Sequence, residues 1–221
     1  MVEPDKRTPR ERYRAQVQAE IKKHAGQQIA TAGASALSLN AIAKQMGISG
    51  PALYRYFAGR DELLTELVQD AYRSLADTFR ARAAAGAGLG DLAQALRQWA
   101  LDDPQRYFLI YGTPVPGYQA PEDTTRIARE IMTVLLDACT AEQPSSAQPS
   151  PPPPSALDAH LSEHRAWAED HPAPPSALHR TLTFWTRLHG VLSLELAGHF
   201  TGMGFDPAEL YNAEAETLTG R

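Results

Sequence analysis

The chain has 221 residues, 43% of them hydrophobic, and a formal charge of -5 at pH 7. No run of 18 apolar residues occurs, so no membrane span is expected. The polar stretch Met1–Gln16 lacks the apolar segment of a secretory signal, and a lone cysteine, Cys139, excludes an internal disulfide framework.

Every element reads as a helix, with no period-two strand. Val17, Ile21, Ala25 and Ile29 recur every four residues, which predicts an amphipathic helix over residues 10–31, stopped by Gly33. Ser38 can cap a second helix carrying Ile42 and Met46 on one face, ended by Gly47. Ser49 can cap a third, with Gly50 and Pro51 in its first turn, and Ala58-Gly59 breaks it. Asp61 and Glu62 suit the positive end of a fourth helix, whose stripe runs from Leu63/Leu64 through Val68, Ala71 and Leu75 to Phe79. The small residues 83–90 close it.

Further helices are expected over 91–101, 104–111 and 124–141, the last two separated by a Pro/Gly loop at 112–123. Residues 142–155 are Pro-rich and read as an inserted surface loop rather than a ligand for a proline-binding module. A short helix over 156–170, a long apolar one over 177–200 and a last short one over 207–218 complete the chain.

The stretch from Ser38 to Leu64 is therefore two short helices joined by a tight turn, the second carrying Tyr54, Arg55 and Tyr56 in a row. That is the layout of a helix-turn-helix reader, whose second helix enters the major groove of double-stranded DNA. The charge distribution agrees. Residues 1–60 hold ten Lys/Arg against four Asp/Glu, whereas 61–221 hold eleven against twenty-two. A basic head on an acidic body draws phosphate to one end only, although five of the ten cations crowd the first 14 residues, as they would in a solvated tail.

Residues 11–72 resemble the tetracycline-repressor (TetR) family of transcriptional regulators, through Ile42-Ala43, Gly47-Ile48-Ser49, Leu53-Tyr54-Arg55-Tyr56-Phe57 and Leu63-Leu64. Arg60 stands where the family usually has lysine, and keeps a cation able to pair with phosphate. Asp103-Pro104, Tyr107, the loop 112–118, and Trp185-x-x-x-His189-Gly190 with Leu194-Glu195-Leu196 resemble one C-terminal subgroup of that family. The resemblance implies an all-α homodimer with a three-helix DNA-binding head and a ligand-sensing body. The head is placed at 1–60, with 1–9 as a flexible arm, and the body at 61–221.

The candidate DNA contacts are Asn40, Lys44, Ser49, Gly50, Pro51, Ala52, Tyr54, Arg55, Tyr56 and Arg60, with Leu53 and Phe57 facing inward. Arg55 alone can bond bidentately to guanine, a contact worth about 1–3 kcal/mol of discrimination, though pairing with phosphate suits it equally. Tyr54 and Tyr56 suit phosphate better than bases. Since Gly50, Pro51 and Ala52 offer no hydrogen-bonding side chain, part of the specificity should come from DNA shape. The arm from Lys6 to Arg14 can add non-specific affinity.

The candidate ligand-binding residues are Trp99, Tyr107, Phe108, Tyr111, Phe184, Trp185 and His189, apolar walls with few polar groups around a small hydrophobic or amphipathic molecule. An ordinary core uses the same residue types. Leu182, Trp185, Leu188, Leu192, Leu196 and Phe200 are too many large apolar groups for a terminal helix to expose, so they are the expected homodimer surface, with Gly190, Ala197 and Gly198 allowing close approach. Two heads about 34–36 Å apart would then meet successive major grooves.

No catalytic signature is present: no phosphate loop, nucleophile elbow or His-Glu-x-x-His. No cofactor and no metal are expected; His160 and His164 are four apart but read as an exposed pair, and Cys139 as a small buried hydrophobe. The reading is a cytoplasmic DNA-binding repressor released from its operator by a ligand. The alternative is a helical enzyme or small-molecule-binding protein with a vestigial helix-turn-helix.

Overall fold

The computed structural model describes residues 8–142 and 155–220. Ten α-helices and no strand occur among them. They are α1 (Pro9–Ala32), α2 (Leu39–Gln45), α3 (Gly50–Leu53), α4 (Arg60–Ala84) and α5 (Leu89–Asp102), followed by α6 (Pro104–Tyr111), α7 (Glu122–Ala141), α8 (Ala156–Glu163), α9 (Pro175–Leu196) and α10 (Pro207–Thr219). Single 3-10 turns lie at Ala34–Ala36 and Ala166–Ala168.

The chain forms two compact units. One comprises residues up to Ala71 with Gln105–Pro121, the other Tyr72–Pro104 with the residues from Glu122 onward. The border falls inside α4, and α4 runs unbroken through it. The division expected at residues 60/61 follows helix ends; the compact units follow packing, which gives the first unit the opening turns of α4, α6 from Gln105 onward and the loop after it.

In the first unit, α1 begins earlier than its apolar repeat suggests. Thr8 Oγ1 accepts the Glu11 amide (3.3 Å), the Glu11 carboxylate accepts the Thr8 amide (2.7 Å), and Pro9 occupies the first helical position. Thr8 and Pro9 thus belong to the helix, and the rest of the expected arm lies outside the described residues. Ile21, Ala25 and Ile29 are buried with Ile42, Leu53, Phe57, Leu63 and Leu64, so this core is built from the stripe positions of four helices. Lys22 ties α1 to α4 through Glu66 (2.9 Å) and Asp70 (2.7 Å). Burial works against the Lys22 ammonium, but its bonds to Asp70 and Glu66 outweigh that and hold its pKa above the ordinary lysine value.

In the second unit α9 is central, packing against α5, α7, α8 and α10. Leu92, Leu96, Leu135, Phe184, Leu188, Leu192 and Tyr211 are fully buried there, and the Tyr211 hydroxyl donates to the Ala93 carbonyl (2.8 Å). Arg180 gathers carbonyls that two helix ends leave without intrahelical donors, those of Glu142 (2.6 Å) and Leu218 (3.2 Å). The Glu142 carboxylate accepts the Leu89 amide (2.8 Å), and Ser155 caps α8 by accepting from Asp158 (3.1 Å). Residues 143–154 of the Pro-rich stretch lie outside the described residues.

One expectation is corrected here. Leu188 and Leu192 are wholly buried within the second unit, so they are not available to another protomer. They continue the Thr181–Phe184 stripe of α9, which faces the core, while Leu182, Trp185 and Leu196 lie on a neighbouring, half-buried stripe. Phe200 is not on α9, which ends at Leu196; it sits in the following turns with its ring 5.3 Å from that of Phe205.

Candidate functional site

The helix-turn-helix arises from capping and one glycine. Ser38 Oγ accepts the Ala41 amide (3.4 Å) at the start of α2, and Ser49 Oγ accepts the Ala52 amide (3.3 Å) at the start of α3. Between them Gly47 adopts a φ of +66°. The Ile48 amide then reaches back to Ala43 O (3.0 Å) and the Gly47 amide to Lys44 O (3.2 Å), the paired bonds that close a helix on a left-handed residue. A side chain at position 47 would be strained in this conformation.

The motif buries Ile42, Ala43, Leu53 and Phe57 and turns its polar residues outward. Asn40, Lys44, Ser49, Pro51, Tyr54 and Arg55 are exposed, Tyr54 by 48%, and Gly50, Ala52 and Tyr56 are partly so. Asn40 lies beside the start of α3, its Oδ1 3.5 Å from where a Cβ on Gly50 would stand. The reading helix is shorter than its pattern suggests. After Leu53 the backbone continues as tight turns, with Arg55 N bonded to Ala52 O (3.4 Å) and Tyr56 N to Leu53 O (2.8 Å), so Arg55 projects from the turn that follows α3.

Arg60 has partners within the protein. Its Nη2 donates to Ala34 O (3.0 Å) and Ser35 O (3.4 Å), and its Nη1 lies 3.3 Å from Asp61 Oδ1. Nothing in the local sequence announces these bonds, since the carbonyls are about 25 residues away and belong to an unremarkable Ala-Ser-Ala turn. The same is true of Arg14, whose guanidinium lies over the Tyr56 ring, 5.5 Å from its centroid.

The seven ligand candidates fall in both units. In the first, the Tyr107 ring meets Phe108 edge-on (5.6 Å, 80°) and Tyr111 at a tilt (5.3 Å, 54°). Tyr107 is buried, and burial pushes its hydroxyl up to about 12, so it remains a neutral phenol. Phe108 lines a groove of about 330 Å³ with Ile29, Leu109, Pro114 and Val115. In the second unit, Phe184 is fully buried and Trp99 nearly so, its Nε1 donating to Ser74 Oγ (3.0 Å). The Trp185 and His189 rings lie 4.1 Å apart at a tilt of 55°, and burial pushes the His189 imidazole down to about 3.

The polar residues that interrupt α9 find partners in their own unit. Ser193 donates to Gly190 O (3.2 Å), and Glu195 pairs with Arg97, which also lies over the Tyr211 ring (5.8 Å). One Glu195 oxygen, Oε2, is buried without a hydrogen-bond partner. Cys139 is buried, burial pushes its thiol up, and the neighbouring Thr181 hydroxyl and Arg180 charge only partly offset that. The His160 and His164 rings stack 4.1 Å apart. Among the described residues no three His, Cys, Asp or Glu side chains cluster as a metal site would require, and no helix is long and apolar enough to cross a membrane.

Two family models match the chain: "Bacterial regulatory proteins, tetR family" over residues 21–67, and "Tetracyclin repressor-like, C-terminal domain" over residues 89–218. The HTH-type transcriptional regulator Rv1816 of Mycobacterium tuberculosis is 34% identical over 217 residues, covering 93% of this chain and 92% of that protein. The regulator Mb1846 of Mycobacterium bovis matches equally. Among solved structures, the regulatory protein SCO4313 is 69% identical with a TM-score of 0.88, covering 97% of this chain and 100% of that one. FadR of Bacillus subtilis, solved with stearoyl-CoA, shares the fold (TM-score 0.54, 91% and 97% covered) at 15% identity.

Proposed function

This chain belongs to the TetR family and is a transcriptional regulator rather than an enzyme, and on that premise we propose that it is a dimeric repressor whose DNA contacts are Asn40, Lys44, Ser49, Gly50, Pro51, Ala52, Tyr54, Arg55 and Tyr56. The observation that carries the assignment is the outward face of the capped α2–α3 motif, on which Asn40, Lys44, Tyr54 and Arg55 are exposed while Leu53 and Phe57 hold the motif to its core. Arg55 reads a guanine edge, and Tyr54 and Tyr56 donate to phosphate. Ser49 is occupied as a cap, so its contribution is to present the α3 backbone. Arg60 is committed to two backbone carbonyls and serves to hold the turn before α2.

Release is assigned to a small hydrophobic or amphipathic ligand bound beside Trp185 and His189. A tilted aromatic pair supplies an apolar wall, a neutral imidazole supplies one polar group, and the buried Glu195 Oε2 supplies an unsatisfied acceptor on the same helix. Ligand and DNA then compete through two states of the dimer with different affinities for each. The homodimer surface is assigned to Leu182, Leu196 and Phe200 with the exposed Leu194.

The test is selection of bound duplexes from random DNA by the full chain, followed by binding of Arg55→Ala/Tyr54→Ala to the selected sequence. A symmetric site with half-sites one helical turn apart, and at least a hundredfold weaker binding by a still-dimeric variant, are the expected results. Undiminished binding by that variant refutes the assignment of α3.

A further inference from the structure

Building on the DNA-binding reading above, we infer that α1 is a second DNA-contacting element: Arg10, Tyr13 and Arg14 hold a backbone phosphodiester beside the groove that α3 enters. The head carries an open cleft of about 790 Å³. Arg10, Tyr13 and Arg14 form one wall, and Ala52, Arg55 and Tyr56 of the reading motif form the other. Val17, Met46 and Ile48 add apolar side chains to its lining. A duplex seated on Ala52 and Arg55 therefore has the α1 wall at its flank.

Charge and geometry both favour an anion there. Arg10 and Arg14 are four apart on α1 and project on one face, with Tyr13 between them exposed by 65%. Lys22 is held by Glu66 and Asp70, and Arg60 by Asp61 and two carbonyls. Among the described residues no carboxylate lies within ion-pair distance of Arg10, Arg14 or Arg55. The one acidic side chain in the cleft, Glu20, lies 3.9 Å from His24, a turn and a half further along α1 than Arg14. The amides at the α1 terminus are partly taken up by the Thr8–Glu11 cap, so the side-chain cations and not the helix end carry the site.

Arg14 has a further part. Lying over the Tyr56 ring, it fixes that ring through a cation–π contact while its N–H edge stays available for charge-assisted bonds. The need for such contacts follows from the reading helix itself. Half to two-thirds of protein–DNA hydrogen bonds go to phosphate and sugar and set the register, yet Gly50, Pro51 and Ala52 have no donor side chain. A duplex positioned by α3 alone would be poorly held.

The experiment measures affinity of the full chain for its selected duplex and for a random duplex between 50 and 300 mM KCl. Each phosphate contact contributes about 0.9 to the slope of log affinity against log salt. Arg10→Ala/Arg14→Ala is expected to lower that slope by about 1.8 and to weaken both duplexes alike, whereas Arg55→Ala loses the preference between them. Arg14→Lys restores most of the slope. If Arg10→Ala/Arg14→Ala disturbs folding, Arg10→Gln/Arg14→Gln gives the same reading.

An unchanged slope in the double variant overturns the inference even if affinity falls, because a purely structural role for Arg14 on Tyr56 leaves the count of released counterions intact. Saturable binding of inorganic phosphate at constant ionic strength, lost in the same variants but without effect on duplex affinity, places a free anion in the cleft and also overturns it. Failure of the wild-type chain to bind any duplex removes the DNA-binding reading itself. That result is distinct from a wild-type complex whose slope the variants do not alter.

Discussion

His189 is the side chain on which pH acts most directly. Burial holds its folded-state pKa near 3, against an ordinary value of about 6.5. Between those values the unfolded chain binds a proton that the folded chain refuses, so stability falls as pH drops below 6.5 and is fully present above it. Replacing His189 by Asn removes that dependence. The difference in unfolding free energy between wild type and His189→Asn should shrink by up to about 1.4 kcal/mol per pH unit on going from pH 6.5 towards 4, measured by urea unfolding. A difference constant over that range means the imidazole is protonated in the fold. The ring lies 4.1 Å from that of Trp185, so a ligand that seats beside it should change tryptophan emission while His189 stays neutral.

At the scale of elements, the first residue of α4 reaches back to the turn that precedes the reading motif. Arg60→Ala removes charge-assisted bonds to Ala34 O and Ser35 O, at an expected cost of about 1–2 kcal/mol in unfolding free energy. The amides of Ala36 and Leu37, which close this turn on Gly33 O and Ala34 O, should exchange faster, and the salt slope of DNA binding should stay at the wild-type value. A slope lowered by about 1.8, one phosphate contact in each protomer of the dimer, would return Arg60 to phosphate contact. This pair of residues also shows what local sequence carries. Helix starts at Ser38 and Ser49, the stop at Gly33 and the buried positions Leu53 and Phe57 are short-range chemistry, and they stand where caps and spacing put them. The bonds of Arg60, and the seating of Arg14 on Tyr56, join residues 25 to 42 apart. No spacing encodes them. On α9 the difficulty is different: both stripes are apolar, so periodicity finds the helix but cannot tell the core stripe from its neighbour. Only packing on α10, α8 and α7 decides that Leu188 and Leu192 face inward.

At the scale of the whole molecule, that distinction separates folding from assembly. Leu194, Met203, Phe205 and Leu210 are exposed within one short stretch of chain, Met203 by 63%. Scattered exposed apolar residues need no explanation, but four within seventeen residues, beside the half-buried Leu196 and Phe200, suit a face covered by a second copy. Leu194→Glu/Phe205→Glu should therefore give a monomer in sedimentation equilibrium, with an unfolding transition extrapolated to zero concentration that matches wild type. Leu188→Ala should do the reverse: it opens a cavity in the core, costs about 2–5 kcal/mol, and leaves the association constant of the folded fraction unchanged. A monomeric head retains the salt-dependent phosphate contacts of one half-site but loses the second, so the double variant should bind the symmetric duplex no better than an isolated half-site. If it stays dimeric, the interface lies elsewhere than the Leu194–Leu210 face.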